Sequence, residues 1–343
     1  MSTAWQLSTT GAAVTVFDAG RIGNEASWAG AGMLAPGGEL SARNRLFDLA
    51  MESLRLYPQW VSELSRESGV PIDFRQCGAF SLAYSESEAE CIRTLAEKQN
   101  LLGIYSEQFS PHRVPGVRAG ATAAQYYPND AVVNPRDLMR ALVAACRQNK
   151  VTLRECEPVQ QIRDSSEFDV TVLSAGAWSD QVKVVISGDV VSIPPVRPVR
   201  GHLISFDLTS STNDAALCDV IVRHNHTYLV RRSGNVIIAG ATTEHCGFTR
   251  TIDGASAELL ARAAGELMPA LAHRGYAAWN GFRPATANEQ PVIQRLGNSS
   301  IWLSYGHYRN GILLAPATAQ LVAREINQAS SEMDLPSPAA LRR

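Results

Sequence analysis

Arg283 follows Trp279-Asn280-Gly281-Phe282 and precedes Pro284, which stiffens the backbone beside it. A guanidinium held this way offers forked donors that match both oxygens of a carboxylate. Taken alone, the same side chain reads first as a surface or ion-paired Arg. A second cation, Arg309, lies in His-Tyr-Arg-Asn-Gly. The run His224-Asn225-His226-Thr227-Tyr228-Leu229-Val230 reads as a polar turn entering a strand. Tyr228 in it suits a core aromatic with a wet hydroxyl tip. His224 and His226, two apart, would share one side of a strand. No carboxylate or Cys cluster completes a metal site with them, so no metal is expected. No Ser-His-Asp set and no paired carboxylates stand out.

Two further runs suit an electron-rich or flat ligand. Gly306–Thr318 is a polar, glycine-flanked turn between an apolar strand, Ile301–Tyr305, and a helix expected over Ala315–Ile326 with Pro316 in its first turn. Such a turn presents backbone N–H groups and the positive end of a helix dipole. An ordinary α/β connection matches the same pattern equally well. Ala26–Pro36 (Ala-Ser-Trp-Ala-Gly-Ala-Gly-Met-Leu-Ala-Pro) is rich in small residues, which admit either a flat ligand or a tightly packed helix. Asp18 ends the strand Ala12–Phe17, the position that holds an adenosine ribose in dinucleotide-binding folds. It also reads as a turn-starting Asp before Ala19-Gly20. The phosphate-binding G-x-G-x-x-G run belongs about 20 residues before such an acid, which here falls before Met1. The chain therefore reads as starting inside the first helix of a βαβ unit, with a true N-terminus expected upstream. Gly30–Ala35 matches G-x-G-x-x-A but follows the acid and lacks a preceding strand, so it is not that loop.

The elements that must position these residues follow from periodicity. Residues 2–8 read as the tail of a helix stopped by Gly11, and Arg43–Glu67 as a long amphipathic helix broken or kinked at Pro58. Phe80–Tyr84 is an expected strand, Glu86–Leu102 a helix, and Ser110–Asn129 a loop. Asn134 caps a helix with Pro135 in first place. Val151–Leu153 and Phe168–Leu173 are expected strands, with room between them for about one short hairpin. Strands are further expected at His202–Phe206, Val220–Val222, Thr227–Val230 and Asn235–Ile238, and a helix over 255–268. The tail after Asn327 reads as frayed.

Ala26–Pro36 and Gly306–Thr318 resemble the two flavin-contacting segments of glycine oxidases, members of the D-amino acid oxidase family. Ser174-Ala175-Gly176-Ala177-Trp178-Ser179 resembles the family's Ala-Gly-x-Trp-Ser turn, and Gly281–Thr286 its Gly-Leu-Arg-Pro motif. The resemblance extends from residue 11 to about residue 327. It implies an α/β fold. A Rossmann-like FAD-binding domain would occupy 1–69, 128–195 and 284–343, lacking its first strand and Gly-rich loop. An antiparallel-sheet substrate domain would occupy 70–127 and 196–283. It implies FAD as cofactor, contacted by Asp18, Ser27, Ala31, Gly32, Met33, Val159, Ala175, Gly176, His307, Arg309, Asn310, Gly311, Ile312 and Leu313. Arg283, Tyr228, Arg309 and His226 would face the substrate. Arg231 stands where the family has Pro. The activity implied is oxidative deamination of glycine or a similar small amino acid, with oxygen as acceptor and a place in thiamine biosynthesis. Sister activities on sarcosine, a D-amino acid or an opine, and a cofactor-poor homologue without catalysis, are the alternatives.

Bulk composition agrees with such an enzyme. The chain has 343 residues, 45% apolar and 19% charged, with a net charge of −2. That balance argues against nucleic acid or anionic membrane as a main partner. No apolar run reaches the length of a membrane span, and no export signal is visible. Cysteines 77, 91, 146, 156, 218 and 246 form no C-x-x-C pair, which fits reduced thiols in the cytoplasm. A homo-oligomer is expected from the resemblance alone.

Overall fold

The computed structural model describes residues 1–164, 168–208 and 219–333. Two long helices, Arg45–Ser68 and Gly311–Met333, pack along each other near the centre. Asn44 caps the first, its side chain accepting from the Phe47 N–H at 2.9 Å, and Gly69 ends it in the left-handed region at φ 69°. Its buried face carries Phe47, Ala50, Tyr57, Trp60, Val61 and Leu64. The break expected at Pro58 does not occur; the helix runs through it.

The second helix also departs from expectation. It starts at Gly311, four residues before Ala315, after a 3₁₀ turn at Tyr308–Asn310, and continues to Met333. Pro316 therefore lies inside the helix, where it has no N–H to give the Ile312 carbonyl. The Tyr57 hydroxyl donates to that carbonyl instead, at 2.5 Å. Next to it, the Ala317 N–H reaches the fully buried Ser53 hydroxyl at 3.3 Å. The neighbouring helix thus supplies what the proline withholds, which local sequence rules cannot foresee.

The largest sheet has eight strands, in the order Ala277–Ala285, Arg197–Asp207, Val236–Gly240, Thr227–Arg232, Ile221–His224, Ala79–Ala83, Ala123–Tyr127, Glu107–Phe109. All neighbours are antiparallel except Ile221–His224 with Ala79–Ala83. Alternate side chains such as Ile204, Phe206, Leu229 and Ile237 bury one face against helix Gly254–Leu267. Part of the expected loop 110–129 is a strand: Ala123–Tyr127 zips onto Ala79–Ala83, so cross-strand pairing overrides its unpromising composition. His224 and His226 do not share a strand. His224 pairs with Thr227 across a tight turn made by Asn225 and His226, with Asn225 at φ 50°.

The parallel strands form separate small groups. Thr15–Phe17 pairs with Thr152–Arg154, and Thr171–Leu173 pairs with Ile301–Tyr305, which also meets Val292–Arg295. Among the described residues, Thr15–Phe17 and Thr171–Leu173 each keep one edge without a strand partner. In the short span between 151 and 169, Thr152–Arg154 and Gln161–Arg163 belong to different sheets. Gln161–Arg163 leaves Thr152–Arg154 and pairs in parallel with Lys183–Ile186. A further sheet joins Met33–Leu34, Ala131–Val133 and Phe74–Arg75. No helix among the described residues is long and apolar enough to cross a membrane.

Candidate active site

Glycines in the large sheet make room for the two side chains singled out for substrate contact. The Arg283 guanidinium lies over Gly201: a Cβ there would stand 2.3–2.4 Å from its Nη1, Nη2 and Cζ. Nη1 donates to the Thr242 carbonyl at 3.0 Å, which fixes the fork. Tyr228 lies opposite Gly240 in the register, and its hydroxyl would be 2.5 Å from a Cβ on that glycine. Burial lowers the Arg283 pKa and raises that of Tyr228. The two act on each other electrostatically, and Arg309 and Glu39 act on both. Arg283, Tyr228, Arg309 and Glu39 therefore form one group. His226 is exposed in the hairpin turn. Gly201, Gly240 and Glu39 carry no motif that marks them; only the tertiary structure brings them in.

One side of the site is built from Ala26–Pro36. Gly32, at φ 88°, passes so close to Val133 that a Cβ would lie 1.8 Å from its carbonyl oxygen, so only glycine fits. The Trp279 indole donates to the Ala29 carbonyl at 2.9 Å. Buried Arg232 donates to the carbonyls of Gly30 and Ala31 at 2.7 and 3.0 Å. Burial lowers its pKa to about 10, and nearby Arg136 pushes in the same direction. The Arg136 guanidinium stacks on Trp28, 3.7 Å from the ring centre. The other side is His307–Leu313. The backbone there enters the helix at Gly311, Tyr308 takes the left-handed region at φ 48°, and the His307 ring meets the Thr318 hydroxyl at 3.2 Å. Close packing around the His307 ring lowers its pKa to about 4, so it is neutral at pH 7. Ile312 reaches across to Gly30, 3.7 Å from where a Cβ would stand, joining the two segments.

These residues fit the ring end of FAD. Among the described residues, the Nε groups of buried Arg232 and half-buried Arg136 have no hydrogen-bond partner, and the helix beginning at Gly311 adds its positive end. Both favour an electron-rich group. Toward the nucleotide, Asp18 accepts from the Gly20 N–H at 2.8 Å, the turn that its sequence context allowed. Its own N–H and carbonyl bond to Arg154 and Glu157, placing it beside the segment that leads to exposed Val159. Ala175 and Gly176 open the 3₁₀ turn ending at Gln181, which packs on Ala277–Ala285 where Trp178, stacked on Phe248, meets Phe282 edge-on. Ser27, Ala31, Gly32, Met33, Ile312 and Leu313 thus lie together in one cradle, with Asp18 and Val159 in a second region.

Fold and cradle define an FAD-dependent oxidoreductase, and residues 1–325 match the DAO family model, described as FAD dependent oxidoreductase. The glycine oxidase of Pseudomonas putida is 30% identical, the match covering 98% of this chain and 94% of that protein. The crystal structure of glycine oxidase from Geobacillus kaustophilus superposes with a TM-score of 0.87 at 27% identity, covering 95% of this chain and 91% of that one. The bifunctional protein ThiO/ThiG of Trichormus variabilis is 31% identical, and the match spans 48% of its length. The chain belongs to the DAO family, among its glycine oxidase-like, FAD-dependent amino acid oxidases.

Proposed function

We propose that this chain oxidises glycine, or an amino acid of similar size, to the imine. Hydrolysis then gives the 2-oxo acid and ammonia, and oxygen is reduced to hydrogen peroxide. The observation that carries this reading is the Arg283 guanidinium over Gly201 beside Tyr228 over Gly240. Arg283 would take both carboxylate oxygens, with its Thr242 bond fixing the plane of the fork. Tyr228, kept protonated by burial, would donate to one of those oxygens. The site would thereby hold the amino acid by its carboxylate and orient Cα toward the cradle. FAD, when bound, supplies the acceptor for the hydride from Cα and hands the electrons to oxygen. Ser27–Met33 and His307–Leu313 would hold its ring, and the helix start at Gly311 would stabilise negative charge there. The similarity to ThiO/ThiG supports a place supplying the imine for the thiazole of thiamine. A cytoplasmic homo-oligomer is part of the same proposal.

The test is the absorbance spectrum of the purified protein supplemented with FAD. A visible flavin band that bleaches anaerobically with glycine is the expected result. A protein that stays colourless with added FAD, or a band that glycine leaves unchanged, overturns the proposal.

A further inference from the structure

We infer that Glu39 sets substrate specificity: by pairing with Arg309 it neutralises the second cation of the site, so that amines with one carboxylate are preferred to those with two. This rests on the functional reading above. Arg283 and Arg309 are both close enough to Tyr228 to act on it electrostatically. Two guanidiniums this near one tyrosine would by themselves favour a dianion. Glu39 is the acid that acts on both Arg283 and Tyr228, and its Oε1 lies 3.8 Å from Arg309 Nη2. At that distance the pair is coulombic and not a hydrogen bond. The Arg309 side chain is 51% exposed and that of Glu39 27%. Arg309 is therefore a cation at the open side of the site, balanced but not locked, and a second substrate carboxylate would have to compete with Glu39 for it.

The loop that carries Glu39 is built to keep it there. On one side, the Gly37 N–H donates to Asp130 Oδ1 at 3.2 Å, and Arg223 donates to both the Gly37 carbonyl and Asp130 Oδ2. Asp130 and Arg223 are themselves buried or nearly so, a firm brace. On the other side, the buried Gln99 amide donates to the Leu40 carbonyl at 2.8 Å. Between them Gly38 takes φ 81° against the Arg223 guanidinium, where a Cβ would lie 2.3 Å away. The backbone on either side of Glu39 is thus held, which keeps its Cα beside Arg309 while the carboxylate itself stays free of hydrogen bonds to that cation.

The experiment compares the FAD-loaded wild type with Glu39→Gln, Glu39→Asp, Arg309→Leu and the Glu39→Gln/Arg309→Leu double variant. Acetate and malonate affinities are read from the perturbed flavin spectrum, and kcat/KM from glycine and iminodiacetate turnover. Glu39→Gln is expected to shift the malonate-to-acetate affinity ratio, and the iminodiacetate-to-glycine ratio, about three- to tenfold toward the dianion. Adding Arg309→Leu should cancel the gain, and Glu39→Asp should restore most of the wild-type ratio. A merely structural Glu39 would weaken all four ligands alike. Unchanged ratios in an active Glu39→Gln protein, or a gain that survives Arg309→Leu, overturn the inference alone. A flavin-bearing wild type that neither oxidises glycine nor binds acetate overturns the functional reading, and the inference with it.

Discussion

Replacing Gly201 by Ala tests the carboxylate site without touching Arg283. The added Cβ would lie 2.3–2.4 Å from three atoms of the guanidinium. Ordinary contact begins near 3.4 Å, so the fork must retreat by about 1 Å. The obstacle is the far end of a flexible side chain, so the sheet itself need not shift and the protein is expected to fold. A displaced fork no longer meets both carboxylate oxygens. Charge-assisted hydrogen bonds contribute roughly 1.5–3 kcal/mol. At about 1.4 kcal/mol per decade, that predicts a rise of roughly 10- to 100-fold in the KM for glycine and in the Kd for acetate. Steady-state peroxide release and acetate titration of the flavin spectrum measure the two. Thermal denaturation and the FAD content check that the fold and cradle survive. Adding Arg283→Ala should then cost little more, because both changes remove the same interaction. Wild-type KM and acetate affinity in a folded Gly201→Ala protein would refute the assignment of Arg283 to the carboxylate.

Tyr57→Phe removes the donor that reaches the Ile312 carbonyl, which Pro316 cannot satisfy; urea denaturation should show a loss of about 1–3 kcal/mol. Unchanged stability would mean that another group already serves this carbonyl. His307 supplies a pH test. Its folded pKa is lowered to about 4 from 6.5, so on acidification the unfolded chain binds the proton first. The neutral ring is without penalty above pH 6.5, and stability is lost as pH falls from 6.5 to 4, by up to about 3 kcal/mol. His307→Gln should flatten the stability profile in that window; identical slopes for the two proteins would contradict the burial argument. Because the amine must lose its proton before hydride leaves Cα, kcat/KM for glycine should rise with pH through the alkaline range. A flat profile there would exclude this mechanism.

The sequence, through its resemblance to a family, determined the class of chemistry. Composition and spacing marked Ala26–Pro36, Gly306–Thr318 and Arg283 as candidates but left each an ordinary structural reading; the family resemblance is what set them apart. The approximate strands of the large sheet were legible without it, since alternation reports one buried face. Contacts between distant segments decided the rest. The helix that begins at Gly311 accommodates Pro316 in its interior, and Tyr57, 255 residues away, satisfies the carbonyl that Pro316 leaves open. Ala123–Tyr127 is a strand because Ala79–Ala83 pairs with it. Gly201 and Gly240 matter only because neighbouring strands lay Arg283 and Tyr228 over them. Glu39 comes within 3.8 Å of Arg309 on a loop whose backbone Asp130 and Arg223 brace from distant segments. Spacing within a sequence reports what a segment does to its own backbone. Which side chain another segment must accommodate is a property of the packed chain, and that is where the shape and charge of this site are set.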